Sequence, residues 1–143
     1  MIGIIVTAHN HFASGLKSTI GWLAGEQKNF EVIDFTRDMS PDDLQKQLDQ
    51  TVTKLDDGDG VLIFTDVPGG TPFNQAAQYR MTHSNVSVIT GTNVSMLMEV
   101  LFSRDQPLQK VTEVALNAGK QAIKQFSPVK KSDTTSESSD EGI

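Results

Sequence analysis

Cysteine is absent from this chain, which removes disulfides, thiolate nucleophiles and cysteine-based zinc sites at once. Basic residues are few: 12 Lys and Arg stand against 18 Asp and Glu, a net charge of −6. No positive field is left for a phosphate backbone, so nucleic acid is not expected as a partner. No apolar run is long enough to span a bilayer, and no charged-then-apolar leader is visible, so a soluble, cytoplasmic protein is expected. Aromatics make up only 6% of the 143 residues, but hydrophobic residues reach 37%, enough for one domain with one core.

The apolar residues that are present come in short β-branched runs separated by helical periodicity. Met1 to Ala8 reads as a strand buried on both faces, Phe30 to Phe35 as a second strand, and Val61 to Thr65 and Val86 to Thr90 as a third and a fourth, both buried-strand runs. Between the first two, Phe12, Leu16, Ile20 and Leu23 recur at helical spacing, with Gly25 as the stop. Ser40-Pro41-Asp42-Asp43 is an N-cap, a first-turn proline and acidic first-turn residues, followed by Leu44, Leu48, Val52 and Leu55 on one face. Helices should also follow the third and fourth strands. A last helix is predicted from Leu108 to Phe126, its core stripe formed by Val111, Val114, Ala115, Ala118, Ala122 and Phe126. Trp22 and Tyr79 read as packing residues. The expected fold is α/β: a doubly wound, mainly parallel sheet with helices on both faces and a flavodoxin-like strand order. It occupies residues 1–127; residues 128–143, rich in Ser, Asp and Glu, read as a polar tail unable to join the core.

Two constellations carry chemistry. His9 stands where the first strand runs out, on the rim where open α/β sheets collect their ligands. Asp66-Val67-Pro68-Gly69-Gly70-Thr71-Pro72-Phe73-Asn74 follows the third strand, with two glycines, Thr71 as expected N-cap and Pro72 at N1. It matches neither common nucleotide-binding glycine pattern. In a flavodoxin-like order the first and third strands are neighbours, which brings His9 and Asp66 together. A carboxylate on one imidazole nitrogen fixes the tautomer and leaves the other nitrogen free to attack phosphorus. The phosphoryl group would then be met by the Gly70 and Thr71 N–H groups, the Thr71 hydroxyl and the helix dipole, with neither cofactor nor metal called for.

Thr7-Ala8-His9, Leu23-Ala24-Gly25-Glu26-Gln27, Asp66 with Gly69-Gly70-Thr71-Pro72-Phe73-Asn74, and Thr90-Gly91-Thr92-Asn93 before Met96-Leu97 together resemble the mannose-family enzyme IIA of the bacterial sugar phosphotransferase system. The resemblance implies a homodimer in which His9 accepts phosphate from the phosphocarrier HPr and passes it to enzyme IIB, serving a membrane IIC/IID complex indirectly. It also implies that Asp66 partners the histidine and that Thr71 sits by the phosphoryl group, so Gly69, Gly70 and Thr71 are the expected phosphate-binding residues. Ile89 to Asn93 and the Glu141-Gly142-Ile143 ending look most like the N-acetylgalactosamine branch. One departure stands out: where the family often carries glycine after the active histidine, this chain has Asn10, then His11. Asn tolerates left-handed geometry better than most residues, which would preserve the turn. His11 reads as a surface or helix-start residue and His83 as an exposed loop residue.

Other classes compete. His9-Asn10-His11 has the spacing of a metal pair, but the chain is far short of the roughly 250 residues of a metal-hydrolase barrel and offers no further histidine cluster. A phosphoryl donor for a dihydroxyacetone kinase, or a phosphorylation-dependent regulatory module, would use the same fold and histidine.

Overall fold

A computed structural model describes residues 1–129. Its elements alternate as the sequence pattern requires: β1 (Gly3–His9), α1 (Phe12–Ala24), β2 (Phe30–Phe35), α2 (Pro41–Leu55), β3 (Val61–Thr65), α3 (Thr71–Thr82), β4 (Val86–Ile89), α4 (Val94–Leu101) and α5 (Leu108–Gln121). The four strands form one all-parallel sheet in the order β2-β1-β3-β4, so β1 and β3 are neighbours and the chain reverses direction across the sheet between them. In open α/β sheets such a reversal marks the carboxyl rim where ligands collect, and here it falls between the ends of β1 and β3, at His9 and Thr65.

Strand alternation divides the core. Ile4, Val6, Leu62, Phe64 and Ile89 pack beneath α1, α4 and α5; Ile5, Ile33, Ile63 and Val86 pack beneath α2 and α3. Helix α2 is held at its start by a reciprocal capping box, Asp43 N–H to Ser40 Oγ and Ser40 N–H to Asp43 Oδ2, both 3.0 Å.

Two sequence expectations change. Helix α5 ends at Gln121, five residues before Phe126: Val111 and Ala115 are buried as foreseen, but Ala122 and Phe126 lie exposed beyond the helix end. Trp22 is 82% exposed on the last turn of α1 and is not part of the core formed by the described residues. Tyr79 is buried, and its hydroxyl donates to Asp49. The polar tail proposed for residues 128–143 lies almost wholly outside the described residues.

At the amino ends of the strands, Arg104 is only 6% exposed, and its guanidinium donates to the carbonyls of Ile2, Lys28 and Asn29 at 2.7–3.0 Å. One guanidinium serving three carbonyls, of which the Asn29 carbonyl also accepts Ile4 N–H, makes this a stability determinant at the end of the sheet opposite His9. Arg104→Met should cost about 3 kcal/mol, the scale of losing charge-assisted bonds to buried acceptors, measured by urea unfolding. A loss below about 0.5 kcal/mol would mean that water replaces the guanidinium freely.

Candidate active site

His9 is the last residue of β1, where backbone pairing stops and its side chain reaches the rim half-exposed. Asp66 is the first residue past β3. Its Oδ2 accepts the His9 backbone N–H at 3.0 Å and lies 2.7 Å from His9 Nδ1, so one oxygen fixes both ends of the same residue. The side chain of Asp66 is 13% exposed. Burial would raise its pKa, but the His9 N–H, the imidazole and the Val67 N–H outweigh that and hold it below the ordinary carboxylate value. An ionised carboxylate only accepts, so the proton of a neutral imidazole resides on Nδ1 and the Nε2 lone pair is free. The Phe35 ring meets His9 edge-on, centroids 6.0 Å apart and planes at 83°, restricting the imidazole from the β2 side.

Gly70 closes on the third side. A Cβ added there would fall 2.8 Å from His9 Cε1 and 3.0 Å from Val67 Cγ2. Cε1 lies between Nδ1 and Nε2, so the start of α3 meets the ring at the carbon next to the nitrogen that Asp66 leaves free. Gly69 supplies the left-handed turn before it, with φ at 80°. The sequence expectation needs two corrections here. The N-cap of α3 is Gly70, not Thr71, which is the first helical residue, and Pro72 follows at the second position. The Gly70 N–H already donates to Val67 O at 3.2 Å, so the free donors at this helix start are the Thr71 and Phe73 N–H groups, which have no backbone or side-chain acceptor among the described residues.

The carboxyl end of β4 buttresses this loop. Gly91 N–H donates to Asp66 O at 2.9 Å, and both the N–H and the hydroxyl of Thr92 donate to Thr65 O. Asn93 caps α4 by accepting Met96 N–H and ties it to α5 by donating to Gly119 O. Thr90-Gly91-Thr92-Asn93 thus works as a brace for Asp66. His11 is the N-cap residue of α1, fully consistent with a helix-start role, and its Nδ1 lies 3.3 Å from Asp34 Oδ2. The two histidines of His9-Asn10-His11 therefore bind two different carboxylates, and among the described residues no three His, Asp or Glu side chains gather as metal ligands. Asn10 between them has φ at 54°, the left-handed turn that glycine would otherwise make. His83 sits at the far end of α3, stacked on Tyr79 with Nδ1 2.9 Å from Tyr79 O, away from the rim. Sequence reasoning missed Asp34 and Phe35, although a carboxylate closing the apolar run Phe30 to Phe35 is the same kind of signal that singled out His9.

The EIIA-man family model, described as the PTS system fructose IIA component, matches residues 3–116. The chain belongs to this family. The mannose-specific EIIAB component of Escherichia coli K12 is 33% identical over 134 residues, covering 91% of this chain and 42% of that protein, so this chain spans about two fifths of that relative's length. The fructose-specific EIIA component of Bacillus subtilis is 30% identical over 105 residues, 73% of this chain and 72% of that one. Among solved structures, the phosphotransferase system component EIIA from Streptococcus agalactiae superposes with a TM-score of 0.82 at 32% identity, covering 88% of this chain and 98% of that one. EIIA-man membership agrees with the all-parallel sheet and its rim. The relatives' names carry different sugars, so membership does not select one.

Within this EIIA-man site, Gly70→Ala is a sharp test of the contact with His9. Its φ of −73° and ψ of 163° are open to alanine, so any damage comes from the methyl group and not from backbone strain. The ring would have to rotate, and on the phosphoryl-carrier reading proposed below this should slow phosphate uptake by about 100-fold, the scale of a 1 Å misplacement, with the melting temperature little changed. Rates within twofold of the parent would show that the ring yields without loss.

Proposed function

We propose that this EIIA-man protein is a phosphoryl carrier of a sugar phosphotransferase system, with His9 as the nucleophile. The observation that supports this most is the 2.7 Å contact of Asp66 Oδ2 with His9 Nδ1, which leaves Nε2 free beside an uncapped helix start. In the forward step the Nε2 lone pair attacks the phosphorus of a phosphohistidine on HPr. The new P–Nε2 bond forms as the P–N bond of the donor breaks, and the donor imidazole leaves with that electron pair. Nδ1–H stays on Asp66, which offsets the positive charge developing on the His9 ring. Gly69, Gly70 and Thr71 form the wall that receives the phosphoryl oxygens, with the Thr71 and Phe73 N–H groups and the α3 dipole as donors. The same steps in reverse hand the group to enzyme IIB, which serves a membrane IIC/IID complex.

The sugar proposed is N-acetylgalactosamine or a related one, on the likeness of Ile89 to Asn93. A cytoplasmic location follows from the partners, and no helix among the described residues is long and apolar enough to cross a membrane. A homodimer is proposed as well: β4 pairs with β3 alone among the described residues, and Ile123 and Phe126 beyond α5 are exposed apolar side chains in need of cover.

Incubation with phosphoenolpyruvate, enzyme I and HPr should give a protein-bound phosphate that is acid-labile and alkali-stable. A cognate IIB should then drain it. No uptake under those conditions would overturn the carrier role; uptake drained by a dihydroxyacetone kinase, with none passed to any IIB, would move the protein to a different pathway.

A further inference from the structure

Of the helices that begin at the carboxyl rim of the sheet, α1 and α3 follow the strands that deliver His9 and Asp66, and their first turns are treated differently. Helix α3 starts at Gly70 with no side-chain cap and no acidic residue in its first turn. Helix α1 starts at His11, also without a cap of its own, yet a carboxylate from another element fills the gap: Asp34 Oδ1 accepts Ser14 N–H at 3.0 Å. Oδ2 of the same carboxylate lies 3.3 Å from His11 Nδ1. Asp34 is aligned with Ala8 across the β1–β2 ladder, and the next residue, Phe35, is aligned with His9. Phe35 O accepts the Asn10 N–H at 2.9 Å while its ring stands edge-on to His9. Each residue of His9-Asn10-His11 is thereby fastened to the end of β2, while Asp66 fastens His9 to β3. The fastening has something to restrain, since left-handed backbone at a non-glycine residue such as Asn10 costs on the order of 1 kcal/mol.

We infer that Asp34 is a positioning residue for His9, acting through this turn and not through contact with the phosphoryl group. Its carboxylate occupies the N-terminus of α1, which leaves α3 as the open helix start facing the nucleophile. Without it, Ser14 N–H and His11 lose their shared acceptor, the turn around Asn10 relaxes, and the imidazole loses its alignment with Asp66. The inference rests on the phosphoryl-carrier reading only for its kinetic consequence; its structural consequence belongs to the unphosphorylated protein.

The test compares Asp34→Ala, Asp34→Asn and His11→Ala with the parent by phosphorylation rate and by the nitrogen and Nδ1–H resonances of the unphosphorylated His9 ring. Asp34→Ala should phosphorylate about tenfold more slowly or worse, with the Nδ1–H signal broadened and the two ring nitrogens averaging between tautomers. Asp34→Asn keeps an oxygen for Ser14 N–H and should recover to within about threefold of the parent, as should His11→Ala, which leaves that bond intact. Asp34→Ser carries the expectation of the alanine variant should that one not fold. Parent-like rate and parent-like resonances in Asp34→Ala would overturn the inference; so would a slowed rate with unchanged resonances, which would place Asp34 in partner docking. If the parent itself takes up no phosphate, the carrier reading falls, and the His9 resonances still decide whether Asp34 positions the ring.

Discussion

The His9→Ala variant should take up no phosphate from phospho-HPr, while His11→Ala and His83→Ala should both remain phosphorylatable. The chain contains three histidines, and their surroundings differ in the one respect that matters for a nucleophile. His9 has a largely buried carboxylate holding Nδ1 at 2.7 Å and an uncapped helix start against Cε1, the carbon next to Nε2. His11 has a longer contact to a carboxylate already engaged with Ser14, and the helix it begins has its first turn closed by that same carboxylate. His83 is stacked on Tyr79 at the opposite end of α3, where the helix presents carbonyl groups and the negative end of its dipole, a hostile place for a phosphoryl group. Removing His9 therefore removes the only ring with both an activated nitrogen and an anion-receiving wall. Retained uptake in His9→Ala, at more than about 1% of the parental rate, would move the phosphoacceptor elsewhere and break the account at its centre.

Asp66→Asn should fold normally and slow transfer by about 100-fold or more, the lower end of what a misassigned tautomer costs in a histidine-dependent site. The amide has two orientations, and both are poor. With its NH₂ toward His9 it faces the donating backbone N–H and can satisfy Nδ1 only if the proton moves to Nε2, which abolishes the nucleophile. With its oxygen toward His9 the tautomer survives, but the NH₂ then sits where Oδ1 is buried with no hydrogen-bond partner among the described residues. Unpaired buried donors cost about 1–3 kcal/mol, and the neutral amide no longer offsets the charge that develops on the ring. Rapid-quench measurement of phosphate uptake and release reads this directly. Rates within about threefold of the parent would reduce Asp66 to a structural tether for the His9 N–H.

Much of this was legible in the sequence because few physical signals were in conflict. The runs ending at His9 and Thr65 are apolar and largely β-branched on both faces, a pattern that a parallel sheet covered on both sides buries, and that pattern places His9 and Asp66 on one rim once β1 and β3 are neighbours. The misses have local causes. Thr71 looked like an N-cap by residue type, but a glycine is required one position earlier because any side chain there would strike the His9 ring, a tertiary contact that no local pattern encodes. The helical stripe through Ala122 to Phe126 continues in sequence after the helix itself has ended at Gln121, so its last members have no packed face to join. Asp34 escaped notice because its partners, His11 and Ser14, are on a different element, and a cap supplied across 20 residues leaves no short-range signature.

The most direct test of the central claim is the position of the phosphorus atom itself. Phosphorus–nitrogen correlation by NMR on the phosphorylated, nitrogen-labelled protein should place the P–N bond on Nε2 of His9, with Nδ1 still protonated and bonded to Asp66. Phosphate on Nδ1 of His9, which would have to displace the carboxylate, or on any other histidine, would contradict it.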